Sequence, residues 1–180
     1  MNGAEVLIAT AIRDGVDVCF ANPGTTELPL VLALDSVSGL RGILCLHENV
    51  ATGAADGYAR MASKPAMCLL HLGPGFANGW TNLHNARRAS TPVLNIIGQH
   101  ITWHLPSDPL LASNIEQIAS SVSSYVKEVR DPQAVAADVA SAITFAKSNG
   151  GCIATVIVPH DVQTAQVDTV TAPSCDPKPR

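Results

Sequence analysis

Short apolar runs alternate along the chain with longer segments whose apolar residues recur every three or four positions. Ala4 to Asp14 places Val6, Leu7, Ala11 and Ile12 on one side and reads as a helix stopped by Gly15. Val16 to Phe20 reads as a strand. It runs into Asn22-Pro23-Gly24, a tight turn by composition. Thr25 or Thr26 can then cap a helix carrying Leu28, Leu30, Val31, Leu34 and Val37, with Glu27 in its first turn. Ile43 to Leu46 is a continuous apolar run, the pattern of a strand covered on both faces. It ends at His47 and Glu48, where a helix of small residues begins. Ala66 to His71 is a third strand, followed by a Gly73-Pro74-Gly75 turn and a helix from about Asn78 to Ser90. Val93 to Gly98 is a fourth strand. Ser124 to Val129 and Cys152 to Val158 are the last two, joined by a helix that Asp131-Pro132 starts and Asn149-Gly150-Gly151 ends. This alternation predicts an α/β fold: a doubly wound, mostly parallel sheet of about six strands with helices on both faces.

Two stretches depart from the pattern. Residues 99–123 read as an unusually long loop holding His100, Trp103 and His104, and long loops often carry function. From Gln163 the periodicity is lost, so residues 1–163 read as one domain and 164–180 as a linker or tail. A length of 180 residues suits one domain with a sizeable core. Charged residues make up only 14%, which suggests that another domain or subunit normally covers part of the surface. Gly53 and Gly57 support this, since a glycine inside a helix costs about 1 kcal/mol relative to alanine. They point to close approach of another backbone, for instance across a subunit interface. A net charge of −4 without a basic cluster argues against nucleic acid as a partner. Cys19, Cys45, Cys68 and Cys152 lie in apolar runs and read as buried reduced thiols, which fits a cytoplasmic setting. No signal peptide is apparent, and no apolar run is long enough to span a membrane.

Three strand ends carry polar or turn residues that would meet at the carboxyl edge of such a sheet, where ligands bind. They are Asn22-Pro23-Gly24-Thr25, His47-Glu48 and His71 to Gly75. Glu48 is either a site carboxylate or an acid that suits the positive end of a helix. His71 is either a satisfied buried histidine or a proton-transfer group. His47 points to the opposite face from Glu48 if the strand continues. Gly73-Pro74-Gly75 has neither the third glycine of a dinucleotide fingerprint nor the lysine of a P-loop. His100, His104 and Asp108 fit no metal-site spacing, so no metal ligand is assigned.

Taken together, certain segments resemble the N-terminal, pyrimidine-binding domain of thiamine diphosphate-dependent decarboxylases and synthases. They are Phe20 to Gly24, His47-Glu48 with Ala54 to Arg60, Gly73-Pro74-Gly75 with Asn78, and Thr91 to Gln99. The family includes acetolactate synthase and benzoylformate decarboxylase, and the resemblance covers residues 2–163. It implies that Glu48 is catalytic, hydrogen-bonding N1′ of the aminopyrimidine ring and promoting loss of the thiazolium C2 proton. It implies that His71 is catalytic too, assisting proton transfer and contacting substrate, and that Thr25 contacts substrate. Asn22, Pro23, Gly24, Glu48 and Asn78 are the implied cofactor-binding residues. Gly73-Pro74-Gly75 is similar to the acetolactate synthase version of its loop, whereas His71 and Asn22 to Pro29 resemble benzoylformate decarboxylase.

The family binds diphosphate and Mg²⁺ through a Gly-Asp-Gly motif that this sequence lacks. The resemblance therefore implies thiamine diphosphate held at its pyrimidine end only, with Mg²⁺ held by a domain absent from this chain. FAD is an option for a full enzyme. The implied partners are the diphosphate-binding domain of a second subunit, in a homodimer or homotetramer, and a small 2-oxo acid. The chain is expected to be an enzyme fragment, inactive alone. The alternatives are a subunit of a split decarboxylase and a non-catalytic interaction module of the same fold.

Overall fold

A computed structural model describes residues 1–168. Its elements are α1 (Gly3–Arg13), β1 (Val18–Asn22), α2 (Leu28–Ser36), β2 (Arg41–Leu44), α3 (Glu48–Ala62), β3 (Ala66–Leu70) and α4 (Leu72–Arg88). They continue with β4 (Val93–Gln99), α5 (Ile115–Ser120), β5 (Tyr125–Glu128), α6 (Val135–Ala146), β6 (Ile153–Pro159) and α7 (His160–Thr164). The six strands form one sheet in the order β2-β1-β3-β4-β6-β5, and every pairing is parallel.

Of the four inner strands, β3, β4 and β6 are buried along their whole length, as their continuous apolar runs predict. Alternate residues feed two cores. Met67, Leu69, Leu94, Ile96 and Val156 pack with α1, α2 and α6. Cys68, Leu70, Ile97 and Ile157 pack with α3, α4 and α5 on the other face. The sheet is thus doubly wound. Polar side chains inside it bond to one another: Asn95 donates to the Thr155 hydroxyl at 3.2 Å, and Ser123 lies 2.7 Å from the same oxygen. Asp56, on α3, accepts from Arg60 at 2.6 and 2.8 Å and from the Thr91 hydroxyl at 2.7 Å, locking α3 to the start of β4.

The structure corrects several local readings. Ile43 to Leu46 is not covered on both faces. β2 is an edge strand, with Leu44 73% and Leu46 93% exposed. An apolar run marks surface that avoids water without saying which chain covers it. α4 begins at Leu72, so Gly73-Pro74-Gly75 forms its first turn rather than a loop before it. β1 runs two residues beyond the predicted end, to Asn22. The predicted loop of residues 99–123 contains α5, which packs on α4 and β5. Cys152 is half-buried rather than buried. Of the predicted tail, Thr164 ends α7 and Gln166 bridges to Asn2, while residues 169–180 lie outside the described residues.

The small residues of α3 serve contact with α4 of the same chain. At Gly53 a Cβ would fall 2.7 Å from the Asn82 side-chain nitrogen, whereas Gly57 meets open space. The two helices also approach closely at Gly79 of α4, whose carbonyl accepts the Thr52 hydroxyl at 3.0 Å. A Cβ there would fall 2.7 Å from Thr52 Cγ2. Gly79→Ala is therefore expected to destabilise the domain by about 1–3 kcal/mol through overpacking. Gly57→Ala should instead stabilise it by about 0.4–1 kcal/mol, by restricting the unfolded chain. Urea denaturation of the two variants measures the contrast.

Candidate functional site

Winding reverses between β1 and β3: β2 lies on one side of β1 and β3 on the other. At such a switch point the carboxyl ends of neighbouring strands open a crevice. Asn22-Pro23-Gly24 leaves β1 there, and His71 leaves β3. Gly24 lets the two meet, because a Cβ on it would fall 2.2 Å from His71 Nδ1. After Gly24 the chain makes a 3-10 turn, Thr25–Glu27, before α2.

Glu27 is completely buried at this point. Its carboxylate accepts from the Gly24 amide at 2.8 Å and from the Thr26 hydroxyl at 2.6 Å, and lies 2.8 Å from His71 Nδ1. The Thr26 hydroxyl is 3.3 Å from the same ring nitrogen. Gly98 on β4 makes room for the carboxylate, since a Cβ on it would fall 1.8 Å from Glu27 Oε1. His160, at the start of α7, has its Nδ1 3.2 Å from the Thr26 carbonyl. The ends of β1, β3, β4 and β6 therefore converge on one small polar cluster.

Glu48 opens α3 and is nearly buried, at 8% exposure. Asn78 of α4 donates to its Oε2 at 3.1 Å. Oε1 makes no hydrogen bond among the described residues. A Cβ on Gly75 would fall 3.0 Å from that oxygen and 3.3 Å from His71 Cβ, so Gly75 sits between the two predicted catalytic residues. Gly73 has a separate function: a Cβ there would collide with the Ser113 side chain, 2.4 Å away. Leu72, between His71 and Gly73, is buried with φ of 52°, which a bulky side chain adopts only under constraint. Asn82 donates to the Asn49 carbonyl at 2.7 Å and holds the first turn of α3 against α4.

Asn22 donates to the Cys45 carbonyl at 2.7 Å, which ties the end of β1 to the segment leading into Glu48. His47 occupies the cap position of α3, and its Nδ1 accepts from the Asn49 amide at 3.1 Å. Thr25 is exposed, and its hydroxyl makes no hydrogen bond among the described residues. Its neighbour Thr26 is the one that reaches His71. The structure thus brings together Glu48, His71, Asn78 and the Asn22–Gly24 turn.

Sequence reasoning missed Glu27, Thr26, Gly98 and His100 as parts of this cluster. The spacing of Gly24 and Glu27 is that of a capping pair, and Gly98 interrupts an apolar strand where a close approach is required. Those two signals could have found Glu27. His100 follows β4, and its Nε2 is buried without a hydrogen-bond partner. No group of three or more His, Cys, Asp or Glu side chains that could hold a metal ion occurs among the described residues. A concavity of about 640 Å³ lies at the opposite edge of the sheet around Arg60, Lys64 and Lys147. Those cations suit the negative ends of α1, α3 and α6.

Burial, with His104 and His71 nearby, holds the His100 imidazole below the usual histidine range, against an opposing pull from Glu27. The unfolded chain then binds more protons below about pH 6.5 than the folded chain does, so stability falls as the pH drops through the interval between the two values. His100→Gln should flatten that fall, read as urea midpoints at about pH 7 and about pH 5. An unchanged slope would assign the acid sensitivity to other groups.

Residues 1–124 match the family described as thiamine pyrophosphate enzyme, N-terminal TPP binding domain. A Mycobacterium tuberculosis protein named for acetolactate synthase large subunit IlvX is 54% identical over 162 residues, covering 90% of this chain and 31% of that protein. The chloroplastic acetolactate synthase of Arabidopsis thaliana is 31% identical, covering 89% of this chain and 24% of that protein. In structure, the chain superposes on the thiamine diphosphate-dependent 4-hydroxybenzoylformate decarboxylase of Rhodococcus jostii RHA1 with a TM-score of 0.88 at 23% identity, covering 94% of this chain and 32% of that one. Benzoylformate decarboxylase from Polynucleobacter necessarius gives 0.86 at 24% identity, covering 98% and 33%. At these identities the two structures establish the fold alone. The chain spans about a third or less of the length of each of these proteins.

Proposed function

Because the chain belongs to the family of thiamine pyrophosphate enzyme N-terminal TPP-binding domains, we propose that Glu48 and its neighbours form the pyrimidine-binding half of an active site. The whole enzyme is an acetolactate synthase-like or benzoylformate decarboxylase-like catalyst acting on a small 2-oxo acid. The observation that carries this reading is the state of the Glu48 carboxylate. One oxygen is held by Asn78 and the other makes no hydrogen bond among the described residues, in a nearly buried position at the carboxyl edge of the sheet. That arrangement suits an aminopyrimidine ring, since a carboxyl group can share a proton with a ring nitrogen.

When bound, thiamine diphosphate supplies the electron sink for cleaving the bond to a 2-oxo acid carboxylate. Glu48 holds or moves a proton at pyrimidine N1′. Asn78 fixes the orientation of Glu48. Asn22, Pro23 and Gly24 shape the wall of the crevice, and Asn22 anchors the segment that carries Glu48. His71 is fastened through Nδ1, which leaves Nε2 to exchange a proton with substrate. Thr25 is exposed at the same turn and within the reach of a substrate bound there.

The diphosphate and Mg²⁺ belong to a domain outside this chain, supplied by a second subunit of a homodimer or homotetramer. Leu44, Leu46 and Val50, apolar and exposed around the start of α3, support such a covering surface. FAD is an option for a further domain of the full enzyme. The short coverage of the relatives supports reading the chain as part of a longer enzyme, inactive alone.

Glu48→Gln in the complete enzyme should slow exchange of the cofactor C2 proton by roughly 100-fold or more, measured by NMR, with the circular dichroism spectrum unchanged. Exchange at the wild-type rate would overturn the assignment of Glu48.

A further inference from the structure

Glu27 is a fully buried acid for which the proposed chemistry has no direct use. We propose that it is the positioning residue for His71: its carboxylate keeps the imidazole proton on Nδ1 and leaves Nε2 as the free acceptor. The inference deepens the proposed function, because the consequence for catalysis rests on His71 handling a proton at this site.

The donor and acceptor roles around Glu27 fix the tautomer. An ionised carboxylate only accepts. The Gly24 amide and the Thr26 hydroxyl are donors to it, at 2.8 and 2.6 Å. The third neighbour, His71 Nδ1, is also 2.8 Å away. With a lone pair on Nδ1, two acceptors would face each other at that distance; with a proton there, the contact is a charge-assisted hydrogen bond. Thr26 has already given its proton to Glu27 Oε1, so its oxygen, 3.3 Å from Nδ1, can only accept from the ring as well. Both neighbours of Nδ1 therefore call for Nδ1–H. His71 Nε2 makes no hydrogen bond among the described residues, and the side chain keeps 24% of its surface exposed.

The surroundings are shaped for this pair. Gly24 admits the ring and Gly98 admits the carboxylate, each at a place where a Cβ would overlap its neighbour, at 2.2 and 1.8 Å respectively. His160 holds the carbonyl of Thr26, which fixes the turn from its other side. A second-neighbour carboxylate that orients a histidine and sets its tautomer is a recurring arrangement in proton-transfer sites.

The test uses the uniformly ¹⁵N-labelled chain without cofactor, with His71→Asn identifying the His71 signals. Long-range ¹H–¹⁵N spectra at about pH 8, where imidazoles are neutral, report the tautomer. The expected wild-type result is a protonated, pyrrole-like Nδ1 and a pyridine-like Nε2. Glu27→Gln should lose this preference, because the amide can present either its oxygen or its nitrogen to the ring. A wild-type ring protonated on Nε2 would overturn the proposal without any variant, even if Glu27→Gln fails to fold. An unchanged tautomer in folded Glu27→Gln would overturn it equally. The spectra contain no thiamine diphosphate, so they stand or fall separately from the C2 exchange that tests Glu48.

Discussion

The hydrogen bond between Glu27 and His71 joins the turn after β1 to the helix after β3 across the point where the sheet reverses its winding. A parallel sheet delivers all its carboxyl strand ends to one edge, but it does not bring side chains from separate loops into contact. A buried carboxylate does, because leaving it unpaired costs several kcal/mol. Glu27 meets that need with an amide, a hydroxyl and an imidazole from two loops. Two further strands adapt to it: β4 gives up a side chain at Gly98, and β6 leads into His160.

With His71 fixed, the position of Glu48 follows through Gly75 and Asn78. Both belong to the first two turns of α4, the helix that follows His71. Gly75 sets how closely the two side chains approach, and Asn78 takes one carboxylate oxygen. The tight fit of α3 on α4 at Gly79 and Thr52 holds this arrangement rigidly. The two acids at this edge consequently differ in kind. Glu27 has both its oxygens engaged inside the protein, whereas one oxygen of Glu48 makes no hydrogen bond among the described residues. That difference in satisfaction separates a supporting acid from one available to a ligand.

Much of the fold was legible because a buried parallel strand leaves a plain mark. β3, β4 and β6 were read from their apolar runs, and the alternation with helices gave the doubly wound class. β2 was misread for a physical reason: Ile43 to Leu46 looks like an inner strand, yet no element of the described chain covers its outer side. The start of α4 was missed because Gly73-Pro74-Gly75 has turn composition, although Pro fits the first turn of a helix and both glycines answer close contacts. In the site, Glu48, His71 and Asn78 were named because they match a family pattern. Glu27 was passed over because an acid in a first helical turn already has an ordinary explanation. Nothing local says that its side chain turns inward to meet a histidine far along the chain. Thr25 and Thr26 show the same limit, since adjacent identical residues are separated only by the turn that points one of them at His71.

The half-site reading is tested most directly by calorimetric titration with thiamine diphosphate and Mg²⁺. The 180-residue chain alone and the complete enzyme containing it would be compared at the same concentration. The account predicts saturable binding by the complete enzyme and no measurable binding by the isolated chain, because it assigns the diphosphate to another domain. Tight binding by the isolated chain would contradict it, and so would the absence of binding in both.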